Sequence, residues 1–157
     1  GPSAQMALGQ CTEIGAMLLL SYLGGRARVK PFVIIAMVLA IIRYGIYAYV
    51  GHTGVIYLMW IGVALHGPIF AFFSVTGKIF VNRRVDAGVR GQAQALLSLM
   101  GGCIGQTTGA LSCGLLFNLT AAGRTWMGWT LFWTTLSILI VLSLVYFSIG
   151  YKQKFEQ

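Results

Sequence analysis

The chain has 157 residues, 57% of them hydrophobic and only 9% charged, with a mean hydropathy of +0.80. A soluble domain of that length has too little interior to hide so much apolar surface, so lipid is expected to solvate much of it. Eleven Lys and Arg against three Asp and Glu give a net charge of +8, but the basic residues stand between apolar runs and form no continuous basic face, which argues against nucleic-acid binding.

A membrane-crossing helix needs roughly 20 mostly apolar residues. Five stretches meet that requirement, and they define an all-α, polytopic membrane protein with five transmembrane helices: residues 4–23, 32–50, 55–81, 92–119 and 126–150. The first carries Gln10 and Glu13 and has no basic segment ahead of it, so it does not read as a signal peptide. The chain does not begin with Met, and Gly1-Pro2-Ser3 is either a cloning remnant or natural sequence. The true N-terminus is expected to lie upstream. In the second stretch Arg43 is intramembrane, with Tyr47 and Tyr49 near one end as interfacial anchors. The third holds His66 and then Gly67-Pro68, where a lost backbone hydrogen bond predicts a kink, either a hinge or a packing device. Lys78, a turn from Asn82, is expected to snorkel to the interface. In the fourth, Gly101, Gly105 and Gly109 recur every four residues, a face suited to close helix contact or to sliding. The fifth opens on Trp126 and Trp129, again placed as interfacial anchors.

Cys11, Cys103 and Cys113 lie inside these apolar stretches without Cys-x-x-Cys or Cys/His spacing, so they read as small buried residues and no metal or cofactor is expected. No Ser/His/Asp set, His-Glu-x-x-His or paired-aspartate motif is present, so the chain is not expected to be an enzyme.

The links set orientation, because Lys and Arg accumulate on the cytoplasmic side. Arg26, Arg28 and Lys30 in one link, Arg83, Arg84 and Arg90 in another, and Lys152 and Lys154 in the tail fall on one side. The opposite links hold only Arg124. The C-terminus is therefore expected in the cytoplasm and Gly1 outside. An odd number of crossings starting outside suggests a longer protein cut near its middle.

A charge near the bilayer centre costs on the order of 2.5 to 3.5 kcal/mol, so each one needs a reason. At about 1.5 Å per residue, Glu13 lies about 15 Å, Arg43 about 17 Å, His66 about 16 Å and Gln106 about 21 Å from an end of its own stretch, which puts all four near the midplane. Gln10 and Glu13, three apart, share a helix face. Desolvated, Glu13 would exchange protons near neutral pH and act as a proton carrier; the alternative is a structural pair or a neutral hydrogen-bonded acid. Arg43 has the depth to be its partner, but a structural role is favoured, with Tyr44 or Tyr47 as neighbours. His66 leads into Ile69-Phe70-Ala71-Phe72-Phe73, so a titratable ring and aromatic faces arrive together. They make either a stacking site for a heterocycle or a core histidine beside lipid-facing phenylalanines.

Taken together, GQCTEIGAMLLL, AIIRYGIYAY, LHGPIFAFFSVTGKIFV and VRGQAQALLSLMGG, in that order, resemble the bacterial nucleoside:proton symporters of the major facilitator superfamily. The resemblance runs from about Met6 to Tyr151. It implies that the chain is a fragment, residues 1–157 forming helices eight to twelve of twelve in the C-terminal bundle, with the N-terminal helices of the same protein as its missing partners. It further implies that Gln10 and Glu13 face the substrate in the central cavity, that His66 stands where relatives carry Tyr or His, that Phe70 lines the pocket and that Arg43 is structural. Relatives usually have an acidic residue directly after that aromatic, and here it is Ala71.

The expected function is proton-coupled uptake of a nucleoside or similar polar heterocycle across the bacterial inner membrane. Gln10, Glu13, His66 and Phe70 would bind substrate and Glu13 would couple the proton. Two alternatives stay open: a facilitator-type transporter for another solute such as a sugar or drug, and a membrane-embedded interaction protein that does not transport.

Overall fold

The computed structural model describes residues 2–23, 29–121 and 125–151. Along the chain run α1 (Pro2–Leu23), α2 (Val29–Thr53), α3 (Leu58–Ala64), α4 (His66–Arg84), a 3-10 turn (Ala87–Val89), α5 (Arg90–Ser98), a π-helical stretch (Leu99–Gly105), α6 (Gln106–Thr120) and α7 (Trp126–Gly150), and the described residues include no strand. Because α3 joins α4 end to end, and α5 joins α6 through the π stretch, these elements make five rods, one for each predicted crossing.

By length and composition α2, the α3–α4 rod and α7 are apolar enough to cross a membrane. The 22 residues of α1 rise about 33 Å, also enough for a hydrocarbon core of about 30 Å; its polar Gln10, Thr12 and Glu13 make it less apolar than the others. The accessible surface, 10559 Å², well exceeds the roughly 7,700 Å² expected of a compact soluble protein of this mass. Large apolar side chains account for much of the excess, among them Tyr22, Leu111, Leu119 and Tyr146, all more than 70% exposed. The chain is an all-α, multi-pass membrane protein, and its interior is a set of seams between rods.

Three features of the rods have local causes. Helix α2 begins at Val29, ahead of 32, because Pro31 falls in the first turn, where its missing N–H costs nothing. Pro68 has no N–H for the Ala64 carbonyl, and the third rod breaks just ahead of the Gly67-Pro68 pair, at Leu65. Hydrogen bonds from Leu65 N to Ile61 O (3.0 Å) and from Ile69 N to Leu65 O (3.2 Å) carry the helix across. The fourth rod contains the π stretch, and the Gln106 N–H reaches back five residues to the Gly101 carbonyl. Adjacent Gly101 and Gly102 remove the side-chain packing that would hold an α ladder there.

The third rod is central: α4 packs against α1, α2 and α5, and α2 packs on its other side against α7. Among the described residues α1 touches neither α2 nor α7 and reaches the bundle only through the third rod. The seam between α2 and α7 is aromatic. Tyr47 and Trp133 have ring centroids 4.8 Å apart, Tyr44 and Trp133 5.6 Å, and Phe132 meets Trp133 edge-on at 4.9 Å, contacts worth about 0.5–1.5 kcal/mol each beyond the area they bury. Tyr47, expected at the interface, is buried in this seam, whereas Tyr49 is exposed.

Close approach between rods occurs at glycines outside the predicted repeat. A Cβ on Gly67 would collide with the Thr12–Glu13 backbone, one on Gly62 with the Tyr47 ring, and one on Gly128 with the Thr120 carbonyl. Gly101, Gly109 and Gly114 have open space around them, and Gly105 meets only the Met100 carbonyl of its own rod. The expected close-contact face of the fourth rod therefore packs on nothing among the described residues, because α6 turns other residues, Phe117 among them, toward α7.

One end of the bundle gathers the basic links. Lys30 Nζ donates to the carbonyls of Ser148 (3.2 Å) and Tyr151 (2.9 Å) at the end of α7, where carbonyls lack helical partners. Tyr151 neighbours the Phe80 ring at 6.4 Å, and Arg84 lies 4.7 Å over Phe80. At the other end the Trp126 indole covers Gly54, whose φ of +74° suits glycine. The grouping of Lys30, Arg84 and the end of α7 agrees with the predicted alternation; Arg26, Arg28, Arg124, Lys152 and Lys154 lie outside the described residues.

Candidate functional site

The site forms where α1 crosses the start of α4. Gly67 has no side chain, so the backbone of α1 at Thr12 and Glu13 lies directly on it. One turn on, Ala71 continues the same face of α4 and is fully buried; on α1 the seam continues through buried Ala16 and Leu20. Where the resemblance leads one to expect a carboxylate, a methyl group packs between helices. Thr12 donates its hydroxyl hydrogen to the Gly9 carbonyl at 2.9 Å, which satisfies it inside its own helix.

His66 stands at the N-terminus of α4, immediately after the break. Its Cδ2 edge faces α1, 3.9 Å from the position a Gly9 Cβ would take. Its Nδ1 edge faces α2, where Arg43 Nη1 approaches to 2.9 Å. Arg43 Nε donates to the Tyr47 hydroxyl at 3.2 Å, and the guanidinium carbon lies 5.4 Å over the Tyr47 ring. The Tyr47 ring in turn rests on Gly62, one turn before His66 on the same rod. Arg43 and Glu13 both lie within electrostatic reach of the His66 ring, with opposite sign.

The predicted residues thus separate. Glu13, His66 and Phe70 come together: Glu13 is half-buried on the α1–α4 seam, and the His66 and Phe70 ring centroids are 6.4 Å apart on one face of α4. Gln10 lies a turn from Glu13 on the exposed flank of α1. Among the described residues neither the Gln10 amide nor the Glu13 carboxylate makes a side-chain hydrogen bond. The possible Arg43–Glu13 partnership is replaced by Arg43–His66, because α4 separates α1 from α2. A recess of about 410 Å³ lined by Gly54, Val55, Ile56, Tyr57 and Trp60 lies in the link between α2 and α3 and contains none of these residues. The described residues hold no cluster of His, Cys, Asp and Glu able to bind a metal ion.

In the Arg43–His66–Tyr47 linkage, sequence reasoning named Tyr47 as a neighbour of Arg43 and missed His66. Its one visible signal was Arg43 and Tyr47 at i, i+4 on a single helix face; the third member comes from 23 residues away.

An acid, an amide, an imidazole and an aromatic ring thus lie within about a turn of the α1–α4 crossing in a membrane-embedded helical bundle. The profile of the Nucleoside H+ symporter family matches residues 1–156, and the chain belongs to that family. It is 27% identical over 153 residues to the xanthosine permease of Escherichia coli K12, covering 96% of this chain and 36% of the relative. With the nucleoside permease NupG of the same organism it shares 26% identity over 116 residues, 73% of this chain and 28% of the relative. The crystal structure of nucleoside transporter NupG (D323A mutant) superposes with a TM-score of 0.81 at 24% identity, over 96% of this chain and 38% of that one. The chain shares that transporter's fold over its own length, and it spans about a third of the length of the curated relatives it matches.

Proposed function

We propose that the protein to which this chain belongs takes up nucleosides or similar polar heterocycles together with protons across the bacterial inner membrane, with its C-terminus in the cytoplasm. In this reading residues 1–157 are the C-terminal helical bundle, helices eight to twelve. The missing N-terminal helices face the exposed flank that carries Gln10, His66 and Phe70. Glu13 carries the proton, Gln10 hydrogen-bonds the substrate, and His66 with Phe70 shapes the pocket for the heterocycle.

One observation carries the assignment: a carboxylate at mid-depth, fixed through its own backbone on Gly67, beside an imidazole and an aromatic ring, and without a hydrogen-bonded protein partner among the described residues. An intramembrane acid kept for structure would be paired, whereas one used for transport must be able to exchange its proton. The names of the matched relatives, a xanthosine permease and a nucleoside permease, supply the substrate class.

Labelled uridine uptake by the full-length protein in vesicles, with and without a pH gradient, tests the reading. The expected result is gradient-driven accumulation that Glu13→Gln abolishes while leaving ligand-induced thermal stabilisation measurable. Accumulation that ignores the gradient, or that Glu13→Gln leaves intact, refutes the coupling role. Vesicles holding only residues 1–157 are expected to show no uptake, because half the cavity wall is absent. A second reading, transport of another solute, is favoured by buried Ala71 in place of an acidic residue; sugars or drugs competing where nucleosides do not would select it.

A further inference from the structure

The geometry points to Arg43 as a positioning residue that holds His66 as the neutral Nε2–H tautomer, so that the site offers a fixed hydrogen-bond donor to an acceptor atom of the substrate. This rests on the proposed transport reading and adds a specificity rule to it. A guanidinium has five N–H groups and no acceptor, so a 2.9 Å contact between Arg43 Nη1 and His66 Nδ1 requires a lone pair on Nδ1. A neutral imidazole with that lone pair bears its hydrogen on Nε2.

The Nε2 atom lies on the side away from Arg43. It is bonded to Cδ2, the edge that faces Gly9 of α1. Glu13 shares the helix face of Gly9, four residues on, and Gln10 directly follows it. Among the described residues Nε2 has no hydrogen-bond partner, so the donor remains available on the side of the ring that faces α1. A side chain longer than alanine at position 9 would cover that edge of the ring.

Arg43 is itself held. Its Nε donates to the Tyr47 hydroxyl at 3.2 Å, and Tyr47 is buried between Gly62 and the Trp133 ring. The chain of contacts fixes ring orientation as a second-layer carboxylate or carbonyl fixes a metal-bound histidine. The charged groups facing His66 are Arg43 from α2, itself bonded to Tyr47, and Glu13 from α1. The ligand chemistry follows: a neutral heterocycle whose in-plane acceptor, an exocyclic carbonyl or an unprotonated ring nitrogen, accepts from Nε2–H while its face lies against Phe70. A ligand with only donors on that edge leaves Nε2–H unpaired and is rejected.

The test uses the full-length protein and two readouts. In nitrogen-15 spectra of histidine-labelled protein, with His66 signals assigned by their loss in His66→Gln, wild type is expected to show a protonated Nε2 and a bare Nδ1, and Arg43→Met to lose that preference. A protonated Nδ1 in wild type, or an unchanged His66 signal in Arg43→Met, overturns the inference, and neither measurement needs a transported substrate. In uridine uptake, His66→Phe and Arg43→Met are each expected to raise KM about tenfold with the maximal rate kept, the loss of roughly one hydrogen bond. The double variant should be no worse than His66→Phe alone. Independent effects that multiply to about a hundredfold would overturn the inference, because residues acting through one another do not add. Absence of uridine uptake in wild type would refute the transport reading, and the spectra alone would then decide the tautomer.

Discussion

Gly67→Ala is the sharpest test of how the site is built. The added methyl would meet the Glu13 nitrogen and the Thr12 carbonyl carbon, both backbone atoms, so no rotamer change can relieve the clash. Helix α1 must retreat by on the order of 1 Å to restore ordinary contact near 3.5–4.0 Å. Overpacking of this kind costs about 1–3 kcal/mol, set against a gain of about 1 kcal/mol from replacing glycine by alanine inside a helix. Two controls fix the scale. A Cβ on Gly9, in the same seam, lies 3.9 Å from His66 Cδ2, ordinary contact, so Gly9→Ala should be neutral or stabilising by up to about 1 kcal/mol. Gly109 has open space, and Gly109→Ala should behave similarly unless the helices outside this chain cover it. The assay is thermal unfolding of the purified full-length protein in detergent, with uptake measured in parallel. Gly67→Ala should unfold at lower temperature than either control and should lose transport, because the same displacement carries Glu13 away from His66. A Gly67→Ala protein as stable as Gly9→Ala would refute the backbone-on-glycine seam.

Tyr47→Phe removes the acceptor for Arg43 Nε inside a buried seam and is expected to cost about 1–3 kcal/mol, read as a fall in unfolding temperature; an unchanged transition would mean that water or lipid satisfies the guanidinium. Lys30→Met strips the donor from the Ser148 and Tyr151 carbonyls; the loss should be about 0.3–1 kcal/mol, with faster hydrogen exchange confined to the last turn of α7. Thr125→Ala removes the side-chain acceptor for Gly128 N–H, 3.1 Å away, and should cost about 1 kcal/mol through the lost N-cap, while Thr125→Ser should restore most of it.

Much of the fold could be read from residue order because the bilayer leaves few options: apolar length, Lys and Arg in alternate links, and a Gly-Pro pair locate five rods and one break. Packing between the rods was less legible. The regular spacing of Gly101, Gly105 and Gly109 looked like a contact face, yet the contacts form at Gly51, Gly62, Gly67 and Gly128. Which glycine meets a neighbour depends on rotation of each rod about its axis, and apolar residues distributed on all sides, as lipid favours, leave that rotation unmarked. The same ambiguity hid the partner of Arg43. Depth along the helix was readable from the 1.5 Å rise and placed Glu13, Arg43 and His66 in one layer. Direction within the layer was not, and α4 proved to stand between Arg43 and Glu13.

The π stretch at Leu99–Gly105 lets one rod serve two sets of neighbours. Below it, Gln94 of α5 donates to the Lys78 carbonyl and to Asn82 of α4; above it, Phe117 of α6 meets Trp129 and Phe132 of α7. Because the widened winding absorbs a surplus residue, each half keeps its own angular phase, and a deletion within the stretch would swing Gln106 and everything beyond it round the axis relative to α5. The spacer works as a vernier between two docking schemes, setting the phase of the upper half-rod apart from that of the lower.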